Sequence, residues 1–279
     1  MRKQHAGERL RRCQGSLLLC SGFTVPKVSP ILEVTGLRKS FGAVEALRGV
    51  DLHLCQGEVL ALVGDNGAGK STLIKHIAGV YRPDAGEIRL AGKPLQVASP
   101  REARERGIET VYQDLALADD LSVGANIFLG REPVRRIAGI LPYVDDRTIR
   151  RETAGLLSRI KSQIPQAART VARLSGGQRQ AVAIARAIYW KAKVVILDEP
   201  TAALAVMERE RVITHTRDLA AHGVGVIYIG HNLTEILKVA DRITVMFRGR
   251  AVHTTTAAET SQESLIKYMT GHSDVENAT

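Results

Sequence analysis

One octapeptide constrains this chain more than any other stretch: Gly64-Asp65-Asn66-Gly67-Ala68-Gly69-Lys70-Ser71, followed by Thr72. Before it runs Glu58-Val59-Leu60-Ala61-Leu62-Val63, an apolar segment of strand type. After it, Leu73, Ile74, Ile77 and Ala78 recur on one face of a helix. A G-x-x-x-x-G-K-[ST] match acquires physical meaning in this strand–loop–helix setting. Glycines admit backbone angles closed to other residues, so successive N–H groups can turn inward onto an anion. The helix start adds unpaired donors and roughly half a unit of positive charge. Lys70 brings a mobile full charge to a β or γ phosphate, and Ser71 offers an oxygen to Mg²⁺. The pattern predicts a nucleotide phosphate site.

Other stretches carry the remaining chemistry. Val194-Val195-Ile196-Leu197 is an all-apolar strand of the buried parallel type, with Asp198-Glu199-Pro200 at its end. Ligands of open parallel sheets gather at the carboxyl ends of strands, so Asp198 fits a metal-side role and Glu199 a water-positioning or general-base role. The competing reading is an acidic first turn of the next helix, with Pro200 at N1. Leu174-Ser175-Gly176-Gly177-Gln178 opens a helix whose Ala181, Ile184, Ala185, Ile188 and Tyr189 form one apolar face. Ser175, Gly176 and Gly177 are a second candidate anion site by the same logic, without a lysine; the competing reading is a glycine-bearing cap. Gln113 ends a strand and can reach Mg²⁺ or the attacking water, or be a plain surface residue. His231 also ends a strand, and either meets a γ-phosphate oxygen or caps the helix after it. Phe41, in a polar turn-like setting, is either a core residue or a flat surface for an adenine ring.

Composition narrows the class. The 279 residues suffice for one large α/β domain or two small ones, and no run of about 18 apolar residues spans a bilayer. The net charge of +10 raises the question of nucleic acid or an anionic membrane. Residues 1–30 hold six Lys or Arg against one Glu, a net of +5, so half of that excess sits in a segment that reads as a basic, disordered extension. Cys13, Cys20 and Cys55 include no C-x-x-C, so neither a disulfide framework nor a zinc site is expected and a reducing cytoplasm fits. Ile31 to Thr35 and Val50 to Leu54 read as strands, Pro100 opens a charged helix, and residues from 114 to about 174 read as a helical insert in an α/β body, Arg147 to Arg159 being one helix. Helices follow at about 206–221, 232–240 and 262–269, and residues after Gly271 look frayed.

Taken in order, Phe41, Gly64–Thr72, Gln113, Leu174–Gln178, Val194–Glu199 and His231 resemble the ATP-binding cassette ATPases of ABC transporters. The resemblance runs from about Ile31 to Gly271. It implies a P-loop NTPase with a RecA-like core, an antiparallel β subdomain and an inserted α-helical subdomain, and ATP and Mg²⁺ as cofactors. It implies a Walker A loop at Gly64–Ser71, a Q-loop at Gln113, a signature at Leu174–Gln178, a Walker B strand at Val194–Asp198, a catalytic Glu199 and a switch His231. It further implies a head-to-tail homodimer in which ATP on one subunit's Lys70 is closed over by the other's Ser175-Gly176-Gly177. The partners implied are a membrane permease, docking near Gln113 and the insert, and indirectly a sugar-binding protein.

Finer wording resembles bacterial monosaccharide importers of the ribose, xylose and fructose type: Tyr112 to Leu117, Asn126 to Glu132 and Glu199-Pro200-Thr201-Ala202-Ala203-Leu204. The expectation is therefore a peripheral ATPase subunit on the cytoplasmic face of the cell membrane. Two positions depart from the family pattern: Ala205, where Asp often follows the Leu, and Gly230, where Ser usually precedes the His. A soluble cassette acting on nucleic acid is the alternative, favoured by the pI and opposed by the single cassette and the charge distribution. A GTPase is opposed by the lack of an Asn-Lys-x-Asp guanine reader.

Overall fold

The computed structural model describes residues 30–111, 117–137, 140–159, 164, 170–202 and 204–272, with backbone alone at 137, 159 and 180. The chain opens with a long antiparallel hairpin, β1 (Leu32–Phe41) and β2 (Val44–Leu54). β3 (Val59–Gly64) leads through the glycine loop into α1 (Lys70–Ile77). β4 (Ala85–Leu90) and the two-residue β5 (Lys93–Pro94) complete a four-stranded sheet in the order β2-β1-β4-β5. Then follow α2 (Pro100–Arg106), β6 (Ile108–Val111), α3 (Val123–Phe128), β7 (Val134–Ile137), β8 (Leu141–Val144) and α4 (Asp146–Arg159). The second half alternates α5 (Gly176–Tyr189), β9 (Val194–Asp198), α6 (Val206–Ala221), β10 (Gly225–Ile229), α7 (Leu233–Val239), β11 (Arg242–Phe247), β12 (Arg250–Thr256) and α8 (Gln262–Met269).

The main sheet has the order β12-β11-β3-β10-β9-β6. Its four pairings from β11 to β6 are parallel, and the β12 edge is antiparallel. Both faces are covered, which is why β3 is buried at all six positions and reads as an unbroken apolar run. The period-2 pleat divides its residues between two cores. Val59, Ala61 and Val63 join Val195, Leu197 and Tyr228 under α5 and α6. Leu60 and Leu62 join Ile196, Ile227, Leu73 and Ile77 beneath the antiparallel sheet.

Four expectations need correction. The first two strands run far beyond 31–35 and 50–54, because bulges at Val34/Leu37, Leu37/Arg38 and Lys39/Ser40 break the alternation that reveals a strand. The insert is not wholly helical: β7 and β8 form a hairpin inside it, built from Val134, Leu141, Tyr143 and Val144. α5 is buried well beyond one stripe, from Ala181 through Ala187, because it lies between the sheet and neighbouring helices on either side. Cys55, buried after β2, is disulfide-bonded, contrary to the expectation of reduced cysteines; Cys13 and Cys20 lie outside the described residues. Among the described residues no helix is long and apolar enough to cross a membrane.

Candidate functional site

The loop between β3 and α1 is shaped by three glycines. Gly64 has φ +153, and a Cβ there would lie 2.4 Å from the Met246 carbonyl oxygen. Gly69, the residue before α1, has φ +104, and a Cβ would come within 2.9 Å of the Ala46 oxygen. No side chain caps α1, so the first-turn N–H groups remain available to an anion. Lys70 is 7% exposed and its Nζ donates to the carbonyls of Gly64 (2.7 Å) and Asp65 (3.0 Å). Burial lowers its pKa, while Glu199, Asp65 and Asp198 oppose that shift.

Across a cavity of about 580 Å³ stand the ends of β9 and β10. Asp198 and Glu199 line it from one strand, His231 from beyond the other, and Lys70, Ser71 and Thr72 from α1. Burial raises the pKa of Asp198, with the neighbouring Glu199 carboxylate adding to the rise and Lys70 opposing it. Glu199 Oε1 meets His231 Nε2 at 2.5 Å. Its backbone sits at φ +50, a left-handed position uncommon for a long side chain, and its N–H donates to the Ile229 carbonyl at 3.0 Å. A strained residue pinned by the adjacent strand end is a device for fixing a carboxylate in space. The next helix starts only at Val206, so Glu199 and Pro200 are not its first turn.

Asn66, Gly67, Ala68 and Gly69 line the same cavity, as read from sequence; Gly64 and Asp65 shape the loop behind Lys70. Phe41 does not line it. It is 43% exposed and packs edge-on against Tyr81, 5.2 Å between ring centroids. It pairs across the hairpin with Val44, which does line the cavity. Gln113 lies outside the described residues. Sequence reasoning missed Arg48 and Arg248, which bring cationic side chains to the cavity wall; both sit in strands or turns of unremarkable composition, and only the fold brings them there.

The Ser175 turn lies elsewhere. Ser175, Gly176, Gly177 and Gln178 are absent from that cavity's lining. Ser175 caps α5 in a full capping box, its Oγ accepting from Gln178 N–H while Gln178 Oε1 accepts from Ser175 N–H at 3.1 Å. The oxygen donors that suit Mg²⁺ are the Ser71 hydroxyl and the Asp198 carboxylate, a hard set that leaves places for phosphate and water. Among the described residues no cluster of three or more His, Cys, Asp or Glu could hold a metal unaided.

The sequence pattern described as ABC transporter matches residues 47–202, more than half of the chain. The chain belongs to the ABC transporter family. It is 46% identical over 243 residues to the xylose/arabinose import ATP-binding protein XylG of Sulfolobus acidocaldarius, covering 87% of this chain and 95% of that protein. It is 46% identical over 250 residues to the fructose import ATP-binding protein FrcA of Rhizobium meliloti, covering 87% and 94%. To a putative ribose/galactose/methyl galactoside import ATP-binding protein of Burkholderia cenocepacia it is 45% identical over 252 residues, spanning 48% of that longer chain. The crystal structure of a nucleotide-free ATP-binding cassette from an ABC transporter superposes with a TM-score of 0.73 at 26% identity, over 87% of this chain and 96% of that one. This ABC cassette is thus a P-loop α/β ATPase that binds and hydrolyses ATP.

Proposed function

We propose that this ATPase drives import of a monosaccharide, working as a homodimer beneath a membrane permease that receives the sugar from a separate binding protein. The unit doing so spans 31–271, with the insert at about 114–174 docking the permease together with Gln113, on the cytoplasmic face of the membrane. One observation carries the dimer: the Ser175 turn stands outside the cavity holding Lys70, Asp198 and Glu199. A triphosphate gripped by both turns must then be shared between two copies. The names of the relatives support the sugar and give nucleic acid no support.

The residues divide the work as follows. Lys70 exchanges two carbonyl partners for phosphate oxygens, while the loop N–H groups of Asn66 to Thr72 cradle the anion. Phe41 offers its ring to the adenine from the hairpin rim. Ser71, Asp198 and Gln113 would hold Mg²⁺, which would supply neutralisation of the phosphate charge. Glu199 accepts a proton from the water attacking the γ phosphorus, as the bond to the bridging oxygen breaks. His231 holds the Glu199 carboxylate in line and donates to a γ-phosphate oxygen. Serine and glycine amides of the partner's Ser175 turn complete the cage.

The test is reconstitution of the chain with its permease in vesicles, measuring hydrolysis as different solutes are presented on their binding protein. Stimulation by a monosaccharide is expected. Stimulation by DNA or RNA, and by no sugar, would contradict the reading.

A further inference from the structure

Two features of the Ser175 turn stand apart from the capping box. The carboxylate of Glu208, from the first turn of α6, reaches the start of α5: its Oε1 accepts from the Gly177 N–H at 3.3 Å. The neighbouring Ser175 hydroxyl, and next the Gly177 N–H, hold the Glu208 carboxyl below the usual carboxylate range. A Cβ on Gly176 would stand 2.6 Å from Leu204 Cδ2, and one on Gly177 3.3 Å from the Glu208 Cβ and Cγ. The segment leading into α6 is therefore seated directly on the glycine turn. Ala205, at the N-cap of α6, makes no side-chain cap, so no capping hydroxyl or carboxylate at that position shares the load.

From this contact we propose that Glu208 is a positioning residue that acts as an internal anion, holding the Ser175 turn until a γ phosphate replaces its carboxylate. The proposal rests on the shared-site reading above. Its physical content is a competition for donors. The Ser175 Oγ–H and the Gly177 N–H can serve one carboxylate or one phosphate, and the positive start of a 14-residue helix attracts both. When the partner's phosphate arrives, Glu208 is released, and with it the start of α6. That start is joined to Glu199 through the short connection Pro200 to Ala205. Exchange of one anion for another at the Ser175 turn thus reports the partner's nucleotide to this chain's own catalytic carboxylate.

The sign of the effect separates this role from a scaffolding one. A residue that merely supports the turn weakens closure when removed. A competing anion, when neutralised, lets closure proceed at lower ATP. The experiment uses the full-length Glu199→Gln chain, which binds without turning over, and follows dimer formation by light scattering against ATP-Mg²⁺ concentration. Adding Glu208→Gln keeps size and shape and removes the charge; the midpoint is expected to fall about fivefold. Adding Glu208→Asp keeps the charge, and its midpoint is expected to fall less. A midpoint that rises or stays put in Glu208→Gln, or falls equally in both, overturns the exchange. Failure of the Glu199→Gln parent to dimerise at any ATP concentration overturns instead the shared-site reading beneath it. Circular dichroism of each variant shows whether the fold is retained.

Discussion

At the scale of single residues, the site is a set of charges held apart by backbone. Lys70 is buried against two of its own loop carbonyls, and its charge is supported by Glu199 and Asp198 across the cavity and by Asp65 of its own loop. Replacing it with Ala removes charge-assisted bonds of about 1.5–3 kcal/mol, so ATP affinity should fall by roughly ten- to a hundredfold in a calorimetric titration. Unchanged affinity would remove Lys70 from the phosphate site. Glu199→Gln should leave binding intact while cutting turnover by about a hundredfold or more, the usual weight of a general base; turnover at the parent rate would contradict that role. Histidine chemistry extends beyond the cavity. Burial, and next the adjacent Arg242, lower the His53 pKa to about 4. The unfolded chain therefore takes up this proton at about pH 6.5 and the folded chain only near pH 4. The stability owed to neutral His53 is present above pH 6.5 and is lost as pH falls toward 4. His53→Gln should flatten that part of the acid slope in urea titrations at pH 7.5 and 5; an unchanged slope would show the imidazole to be idle.

At the scale of elements, the glycine loop and the helices flanking it set what can be changed. Gly64 cannot accept a side chain without moving the Met246 carbonyl, so Gly64→Ala should cost about 2 kcal/mol or more and lower the unfolding midpoint in denaturant. Ala205 points the other way. α6 begins there without a capping side chain, and Ala205→Thr should add about 1 kcal/mol, raising Tm by a few degrees in calorimetry; an unchanged or lower Tm would show that the start of α6 cannot use the hydroxyl. Elements also explain what the sequence showed. The glycine loop, β9 and the Ser175 turn were legible because their residue types are dictated locally, by φ values and by burial on both faces. The long hairpin was not, because bulges between Val34 and Ser40 scramble its alternation. β7 and β8 were hidden inside a stretch rich in Arg and Leu, where helix formers set the tone. Glu208 went unread for another reason: its partner lies 31 residues away at the start of another helix, and no period along the chain joins them.

At the scale of the whole molecule, one sheet joins everything. The cavity lies at the carboxyl ends of β3, β9 and β10, where an open parallel sheet presents its ligands. α5 is buried between that sheet and the insert, so its N-terminal Ser175 turn is held by the helices and stands apart from the Lys70 loop. Under the proposed shared site, each chain supplies both halves of a triphosphate grip and a second copy brings them together. Mixed dimers test that arrangement most directly. Lys70→Ala spoils one half of the grip and Gly177→Asp, which puts a carboxylate into the Ser175 turn, spoils the other. Each variant alone should be inactive in ATP hydrolysis. An equal mixture assembles some dimers with one intact pair of turns, so hydrolysis should reappear on mixing. A mixture as inactive as its components, or full activity of Gly177→Asp alone, would contradict the shared site.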